Sequence, residues 1–157
     1  MTAALAPAWR VNGQEDVMHT LLVSELMTSN LRTVYEDEAM NSADWDMAVN
    51  EIRHLPVVDG ERRLVGLLSD RDVMRSMIEH RGRQVTVGEV MSRNVKTVPP
   101  SMPAVDVVEL MLRAKCHALP VVDEHHHVVG IVTSTDFLEL VHRALSGLEV
   151  DRPHARA

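Results

Sequence analysis

The stretch that decides the fold occurs twice along the chain. Residues 119–136 read LPVVDEHHHVVGIVTSTD, and residues 55–72 read LPVVDGERRLVGLLSDRD. The two stretches keep a constant offset, since 119 − 55 = 64 and 136 − 72 = 64. No insertion or deletion is needed to align them. The sequence therefore predicts two copies of one structural unit.

The repeat continues on the N-terminal side of each stretch. Residues 25–28 (ELMT) align with residues 89–92 (EVMS), and the Thr-Val pair at 33–34 aligns with the same pair at 97–98. A unit of this length exceeds the usual period of an open solenoid repeat. It would also bury too little surface to be stable alone. We therefore expect the two copies to pack against each other.

The composition restricts the class of protein. The chain has 157 residues, 45% of them hydrophobic, which suffices for one globular core or two small halves that share one. A net charge of −7 disfavours non-specific nucleic-acid binding, which requires a basic face. Cys116 is the single cysteine, so an intrachain disulfide is excluded. The sequence shows neither a signal-peptide pattern nor a membrane-spanning run, and we expect a cytoplasmic protein.

Hydrophobic periodicity predicts an α+β unit in each copy, with the order β-α-β-β-α after a short helical turn. Ser24 is a candidate N-cap for the first turn, and Ser69 or Asp70 for the helix that closes the first copy. In the second copy, Thr86 or Val87 starts the equivalent turn. The other predicted elements are extended segments over residues 31–34 and 95–98, helices over residues 36–53 and 102–116, and strands over residues 55–58, 64–68, 119–122 and 128–132. A helix from about Ser134 to Gly147 closes the second copy.

The repeat also divides the chain. The first copy is expected to cover residues 21–82 and the second residues 83–147. Residues 1–20 match nothing in the second copy and are expected to be an N-terminal extension, in which Trp9 is a weak candidate anchor. Residues 148–157 are expected to form a polar tail.

These motifs resemble those of the CBS domain, the repeat named after cystathionine β-synthase. In the second copy they run from residues 90–92 (VMS) and 95–98 (VKTV), through a predicted helix, to the stretch at 119–136. The resemblance covers about residues 22–144, and two copies in tandem are similar to a CBS pair. It implies two β-α-β-β-α repeats packed with pseudo-two-fold symmetry into one module, with two clefts between them.

The resemblance also carries functional expectations. In many members of the family the clefts bind adenosine compounds, and pairs often dimerise through their helices. It therefore implies a regulatory module rather than an enzyme, with AMP, ADP, ATP or S-adenosylmethionine as ligand. The expected partners are a second copy of the chain and an unidentified regulated protein. We expect no cofactor, no metal and no membrane partner, and the acidic charge makes nucleic acid a minor option.

The motifs Ser69-x-x-Asp72 and Thr133-x-x-Asp136 each lie where a predicted buried strand meets a helix. The resemblance implies that each Asp carboxylate accepts the two hydroxyls of a ribose, a role that suits a two-oxygen acceptor. The Ser or Thr would contact the sugar or phosphate. The same spacing is typical of a capping box, in which the acid starts the helix. Both readings remain open from the sequence.

The resemblance assigns further residues to the adenine and phosphate groups. The adenine would lie between the extended pieces and the first strands, at Thr33, Val34 and Val57 in one copy and at Thr97, Val98 and Val121 in the other. Ordinary strand core explains the valines equally well. The candidate phosphate-binding residues are Arg53, His54, Arg71 and His117. Three of these four belong to the first copy, which predicts two unequal sites; a solvated surface is the alternative.

Other patterns carry less chemistry. His125, His126 and His127 are consecutive, and neighbouring strand residues point to opposite faces, so a polar hairpin tip is favoured over a metal site. Cys116 is expected to be buried and inert.

The main alternative function is a structural or adaptor homodimer without a nucleotide. Its contact surface would be formed by methionine-rich helix faces, although core packing explains the same residues. These methionines are Met40, Met47, Met74, Met77 and Met111.

Overall fold

The computed structural model of the chain describes residues 21–147. The predicted N-terminal extension, with Trp9, and the predicted tail lie outside these residues. In the first copy the elements are α1 (Val23–Leu26), β1 (Val34–Tyr35), α2 (Met40–Val49), β2 (His54–Val58), β3 (Leu64–Ser69) and α3 (Asp70–Glu79). In the second copy they are α4 (Val87–Val90), α5 (Ala104–Ala114), β4 (Ala118–Val122), β5 (Val128–Thr133) and α6 (Ser134–Leu145). No helix in the described part is long and apolar enough to cross a membrane.

Each copy contains a small sheet with the same register. β2 and β3 pair antiparallel, with His54 opposite Ser69, and β1 pairs with β2 in parallel. β4 and β5 pair in the equivalent antiparallel register. The counterpart of β1 is reduced to one parallel bridge between Val98 and Val121. The predicted α+β class with two similar repeats is confirmed.

The first long helix of each copy is shorter than the sequence predicts. α2 begins at Met40 rather than near residue 36, and α5 begins at Ala104 rather than near residue 102. The preceding residues are extended because they pair with another segment: Ala39 forms a bridge with Thr86. A backbone already bonded across to another segment cannot join the helix, and periodicity alone does not reveal this.

The helical turns are capped by the acid in their third position. The N–H of Leu22 donates to Oε2 of Glu25 at 2.9 Å, so the prediction that Ser24 is the N-cap is wrong. The N–H of Thr86 donates to Oε2 of Glu89 at 2.9 Å, and Thr86, one of the two residues predicted to start this turn, is its N-cap. In both copies one orphan N–H at the helix start is satisfied by a carboxylate.

The leading segment of the first copy packs on the second copy. Val23 of α1 is fully buried in the core that contains Val98, Val107 and Leu119. The N–H of Thr28 donates to the carbonyl of Ile131 in β5 at 2.9 Å, and the N–H of Ile131 donates back at 3.0 Å. This segment therefore continues the sheet of the other copy.

The exchange is reciprocal. Val87 of α4 is fully buried in the core of the first copy, together with Val57 and Leu68. Ser92 and Leu67 of β3 exchange two backbone hydrogen bonds of 2.9 Å each. Each core is consequently completed by residues from the other repeat, and neither copy buries its apolar surface alone.

The contacts between the copies obey a pseudo-two-fold axis. The bridge between Thr28 and Ile131 is matched by the bridge between Ser92 and Leu67, since 28 + 64 = 92 and 131 − 64 = 67. Arg63 pairs with His127, the residue at the equivalent position of the second copy, since 63 + 64 = 127. The axis therefore passes between the two hairpin turns.

Two glycines permit this packing. A Cβ on Gly66 would overlap Sδ of Met91 and lie 3.0 Å from the carbonyl oxygen of Ser92. A Cβ on Gly130 would overlap Sδ of Met27 and lie 3.2 Å from the carbonyl oxygen of Thr28. The Val-Gly pair in each repeat is thus the place where the exchanged segment meets the strand.

We expect Gly66→Ala and Gly130→Ala to lower the free energy of unfolding by about 1–3 kcal/mol each, the usual cost of overpacking. Gly60→Ala is the matched control, because nothing lies within 4 Å of its added Cβ. Urea denaturation of the three variants measures the difference. A Gly130→Ala protein as stable as the Gly60→Ala protein would show that the exchanged segment does not press on β5.

Candidate functional site

Asp72, in the first turn of α3, binds the end of β3. Its Oδ2 accepts hydrogen bonds from the N–H of Ser69 at 3.0 Å and from the Ser69 hydroxyl at 2.5 Å. The N–H of Asp72 donates to Oγ of Ser69 at 3.2 Å. Oδ1 lies 4.0 Å from the guanidinium of Arg75, and within residues 21–147 it accepts no hydrogen bond.

Asp136 repeats this arrangement at the start of α6. Its Oδ2 accepts hydrogen bonds from the N–H of Thr133 at 2.7 Å and from the Thr133 hydroxyl at 2.9 Å. Among the described residues its Oδ1 has no hydrogen-bond partner. The two carboxylates therefore occupy equivalent places at the junctions between strand and helix.

The capping interpretation of the two motifs is confirmed, and the cap leaves one oxygen of each carboxylate without a hydrogen bond from the described residues. A carboxylate has about four lone-pair sites, and the cap uses only Oδ2 of Asp72 and of Asp136. The Asp72 side chain is 13% exposed, so its position is fixed by the protein. A ribose role for Oδ1 stays a prediction, and it is compatible with the cap.

The four predicted valines lie in the cores. Val34 faces Val57 across β1 and β2, and Val98 faces Val121 at the parallel bridge. All four are buried. Thr33 and Thr97, one residue before, are half-buried. The side chains of these valines pack in the cores, and a direct contact between them and a ligand stays a prediction.

The structure brings the predicted cations to the same ends of the strands. The carbonyl of Arg53 accepts the N–H of Asp70 at 3.0 Å, which holds Arg53 beside the Ser69 motif. The carbonyl of His117 accepts the N–H of Ser134 at 2.9 Å, beside the Thr133 motif.

The side chains of Arg53, Arg71 and His117 are exposed. Neither arginine forms an ion pair with a side chain of residues 21–147, whereas Arg63 is paired with Asp59 and Glu61. Both guanidinium groups are therefore available to an anion.

His54 is half-buried at the first position of β2, opposite Ser69. Burial lowers the pKa of His54 below its ordinary value of 6.5, and the proximity of His117 and of the Arg53 guanidinium lowers it further. The carboxylates of Asp70 and Asp72 oppose this shift in pKa. The sequence analysis named Asp70 only as a candidate N-cap and did not place it near His54.

A further groove, of about 700 Å³, lies near the opposite end of β4. It does not include Thr133 or Asp136, although Thr97 and Val98 form part of its wall. Its lining residues are Leu22, Ser24, Thr97, Val98, Pro99, Pro100, Ser101, Val122, Asp123, Glu124 and His125. The sequence did not predict this groove, because Leu22 and Ser24 reach it only through the exchange of segments.

The three consecutive histidines form the tip of a hairpin. Nδ1 of His127 lies 3.1 Å from Oδ2 of Asp123, and Oδ1 of Asp123 accepts the N–H groups of His125 and His127 at 2.9 and 2.8 Å. Residues 21–147 contain no cluster of three or more His, Cys, Asp or Glu side chains suited to a metal ion. Cys116 is half-buried, and burial raises the pKa of its thiol.

These features define two α+β repeats that exchange their leading segments, and in each repeat a carboxylate caps the helix where the last strand ends. The profile of the CBS domain matches residues 23–79 and 87–143. The chain therefore belongs to the CBS-domain family, with two CBS domains in tandem.

Proteins similar to this chain include larger enzymes. The chain is 34% identical over 119 residues to homoserine O-acetyltransferase of Methanohalobium evestigatum, but it spans only 24% of that protein's length. It is 29% identical over 136 residues to a CBS domain-containing protein of Dictyostelium discoideum, where the match covers 80% of this chain and 94% of the relative.

Solved structures of CBS pairs share the fold. The CBS pair of protein MJ0100, in complex with 5′-methylthioadenosine and S-adenosyl-L-methionine, superposes with a TM-score of 0.73 at 30% identity, covering 78% of this chain and 97% of that one. CBSX2 in complex with AMP superposes with a TM-score of 0.69 at 26% identity, covering 80% of this chain and 98% of that one.

The lowered pKa of His54 predicts a loss of stability in acid. The folded state favours the neutral form of this histidine, so the unfolded state binds more protons as the pH falls below 6.5. The contribution is complete above pH 6.5, and it decreases as the pH falls from there towards the folded pKa. We expect the melting temperature of the unliganded protein to fall between pH 7.5 and pH 5.5, and to fall less in His54→Gln.

His142→Gln is the control, because His142 is exposed on α6. Melting curves at three pH values compare the slopes of the three proteins. If His54→Gln and the wild type lose the same number of degrees on acidification, His54 does not cause the effect.

Proposed function

We propose that this chain is a regulatory module that binds an adenosine compound between its two repeats and transmits the bound state to a partner protein. The observation that carries the proposal is the pair of carboxylates, Asp72 and Asp136. In each, one oxygen is fixed by a cap and the other accepts no hydrogen bond within the described residues. Similar CBS pairs in complex with 5′-methylthioadenosine, S-adenosyl-L-methionine and AMP support it.

In this proposal each part of the ligand meets a matching group. Oδ1 of Asp72 accepts the hydroxyls of the ribose, as a negatively charged acceptor suits a diol. The N-terminus of α3 and the guanidinium groups of Arg53 and Arg71 attract a phosphate. The adenine lies against the segment that includes Thr33.

The two sites are proposed to differ in affinity. The positions of Arg53, His54 and Arg71 in the first copy correspond to His117, Ala118 and Thr135 in the second, at the offset of 64 residues. The first site therefore has two guanidinium groups and an imidazole, and the second has one imidazole. A phosphate-bearing ligand is expected to prefer the first site.

The exchanged segments provide a route for the signal. Because Thr28 is bonded to β5 and Ser92 to β3, a ligand that changes the spacing of the repeats also moves both segments. Ligand binding shifts such an equilibrium only by its difference in affinity for the two arrangements. The regulated partner would read the position of these segments or of the helices.

The role is proposed as non-enzymatic. The similarity to homoserine O-acetyltransferase is confined to 24% of that protein, so its activity is not transferred to this chain. The site described above offers hydrogen-bond acceptors and cations, which bind a ligand without a nucleophile–base pair.

We further propose that the helix faces form the interface of a homodimer. On α3, Met74, Met77 and Ile78 are 66%, 57% and 69% exposed, and on α6, Leu138 and Leu145 are 66% and 83% exposed. Several large apolar side chains exposed on one helix are typical of an interaction surface. A second copy of the chain supplies a matching apolar surface, as expected for a two-fold dimer.

The adaptor role is the second candidate, and the methionines favour it in part. Met40, Met47 and Met111 are buried in the cores, whereas Met74 and Met77 are exposed on one helix. Only the exposed pair is available for an adaptable contact. A melting-temperature screen with adenosine compounds separates the two roles, because the adaptor role requires no shift.

The proposal predicts that AMP at about 100 times its dissociation constant raises the melting temperature by roughly 5–10 °C, since binding then adds about 2.7 kcal/mol. Asp72→Asn should reduce this shift to less than half, because the amide weakens the diol contact while preserving the shape of the cap. Asp136→Asn should reduce the remaining shift. Thermal unfolding with and without AMP measures both effects.

Glu89→Gln is the matched control, since Glu89 is the acid of an equivalent cap on α4. It should lower the unliganded melting temperature as much as the Asp variants do, yet keep the full shift with AMP. If Asp72→Asn and Asp136→Asn both keep the wild-type shift, the ribose assignment is incorrect.

The dimer proposal predicts that Met77→Glu combined with Val141→Glu, at equivalent positions of α3 and α6, yields a monomer. Light scattering should give twice 17.6 kDa for the wild type and 17.6 kDa for the variant. Asn94→Glu, at an exposed loop position, should remain dimeric. A doubly charged variant that keeps the wild-type mass would place the interface elsewhere.

A further inference from the structure

His54 stands where the two repeats meet the candidate ligand site. It is paired with Ser69 across the sheet, and Ser69 forms the cap with Asp72. It also lies within electrostatic range of His117, which precedes the first strand of the other repeat. A ligand phosphate placed near the N-terminus of α3 would therefore face an imidazole whose charge is not fixed.

The charges around His54 come from three segments. Arg53 lies on its own strand end, Asp70 and Asp72 lie on α3, and His117 lies beside β4. Burial is the largest influence on the pKa of His54, and it favours the neutral form in the empty site. The two carboxylates oppose this lowering of the pKa, and His117 and Arg53 act in the same direction as burial.

A bound phosphate changes this balance. It adds a negative charge beside the imidazole, and a close opposite charge favours the protonated histidine and opposes the effect of burial. We propose that phosphate-bearing adenosine compounds bind this site together with a proton, which His54 takes up. This inference rests on the proposed adenosine-binding function and adds a regulation to it: affinity for the phosphate ligand rises as the pH falls.

The proton distinguishes between classes of adenosine ligand. A phosphate ester is an anion and stabilises protonated His54. 5′-Methylthioadenosine has no charge at this position, and S-adenosylmethionine has a sulfonium cation, so neither gains from protonation. Two ligand classes that share the same ribose and adenine contacts are therefore separated by pH.

Isothermal titration calorimetry tests the inference. AMP is titrated into the full chain at pH 7.0 in two buffers of different ionisation enthalpy, and the difference in heat gives the number of protons bound. We expect uptake between zero and one proton for AMP, and none for 5′-methylthioadenosine. The affinity for AMP should weaken with rising pH by up to about tenfold per unit, the limit for one proton.

His54→Gln should abolish the uptake of this proton, whereas His142→Gln should retain it. The phosphate itself ionises with a pKa near 6, and in the complex its ionisation is coupled to that of His54. The difference between the wild type and His54→Gln therefore counts the protons taken up because His54 is present. Unliganded melting curves verify that the variants are folded, and the pH series on the wild type requires no variant.

The outcomes separate the inference from the function on which it rests. AMP binding without a difference in proton uptake between the wild type and His54→Gln would overturn the inference alone. Equal uptake with AMP and 5′-methylthioadenosine would also overturn it. No binding of AMP, 5′-methylthioadenosine or S-adenosylmethionine would overturn the proposed function, and the inference with it.

Discussion

The close approach of Met27 to Gly130, and of Met91 to Gly66, is the contact on which the rest of the structure depends. Each methionine ends a short helical turn and lies on a strand of the other repeat. Because each turn also supplies a fully buried valine to that repeat, the two cores are completed by exchange. The pseudo-two-fold symmetry of the module is therefore a consequence of packing, and the stability of one half cannot be separated from that of the other.

The chemistry of the site depends on the same sheets. Ser69 and Thr133 end their inner strands and begin the closing helices, so their position is fixed by the strand register. The carboxylates of Asp72 and Asp136 then serve the fold through one oxygen. This division explains why a motif that is sufficient as a helix cap can also present a ligand acceptor. Stability and binding use different atoms of the same side chain.

The repeat predicted the fold class and the junctions between strand and helix. With a constant offset, each residue of one copy has an equivalent residue in the other, so the two copies are expected to have the same elements at the same positions. It did not predict the exchange. Val23 and Val87 hold equivalent places in the sequence, and equivalence does not tell which copy a segment contacts. The same limit applies to His54 and His117: they are 63 residues apart (117 − 54), and only the folded chain brings them together. The helix starts at Met40 and Ala104 were missed for a related reason, since the residues before them pair with a segment of the other repeat, and this pairing overrides periodicity.

The symmetry of the backbone does not extend to its histidines. The symmetric counterpart of His54 is Ala118, and the counterpart of Arg53 is His117, since 54 + 64 = 118 and 53 + 64 = 117. Alanine carries no group that can take up a proton. The second site therefore lacks a counterpart of His54, although it has the imidazole of His117 and the strands and caps are the same. The two repeats share one backbone fold, in which Gly66 and Gly130 permit the same close packing. Different side chains at a few strand ends are enough to give the two candidate sites different chemistry.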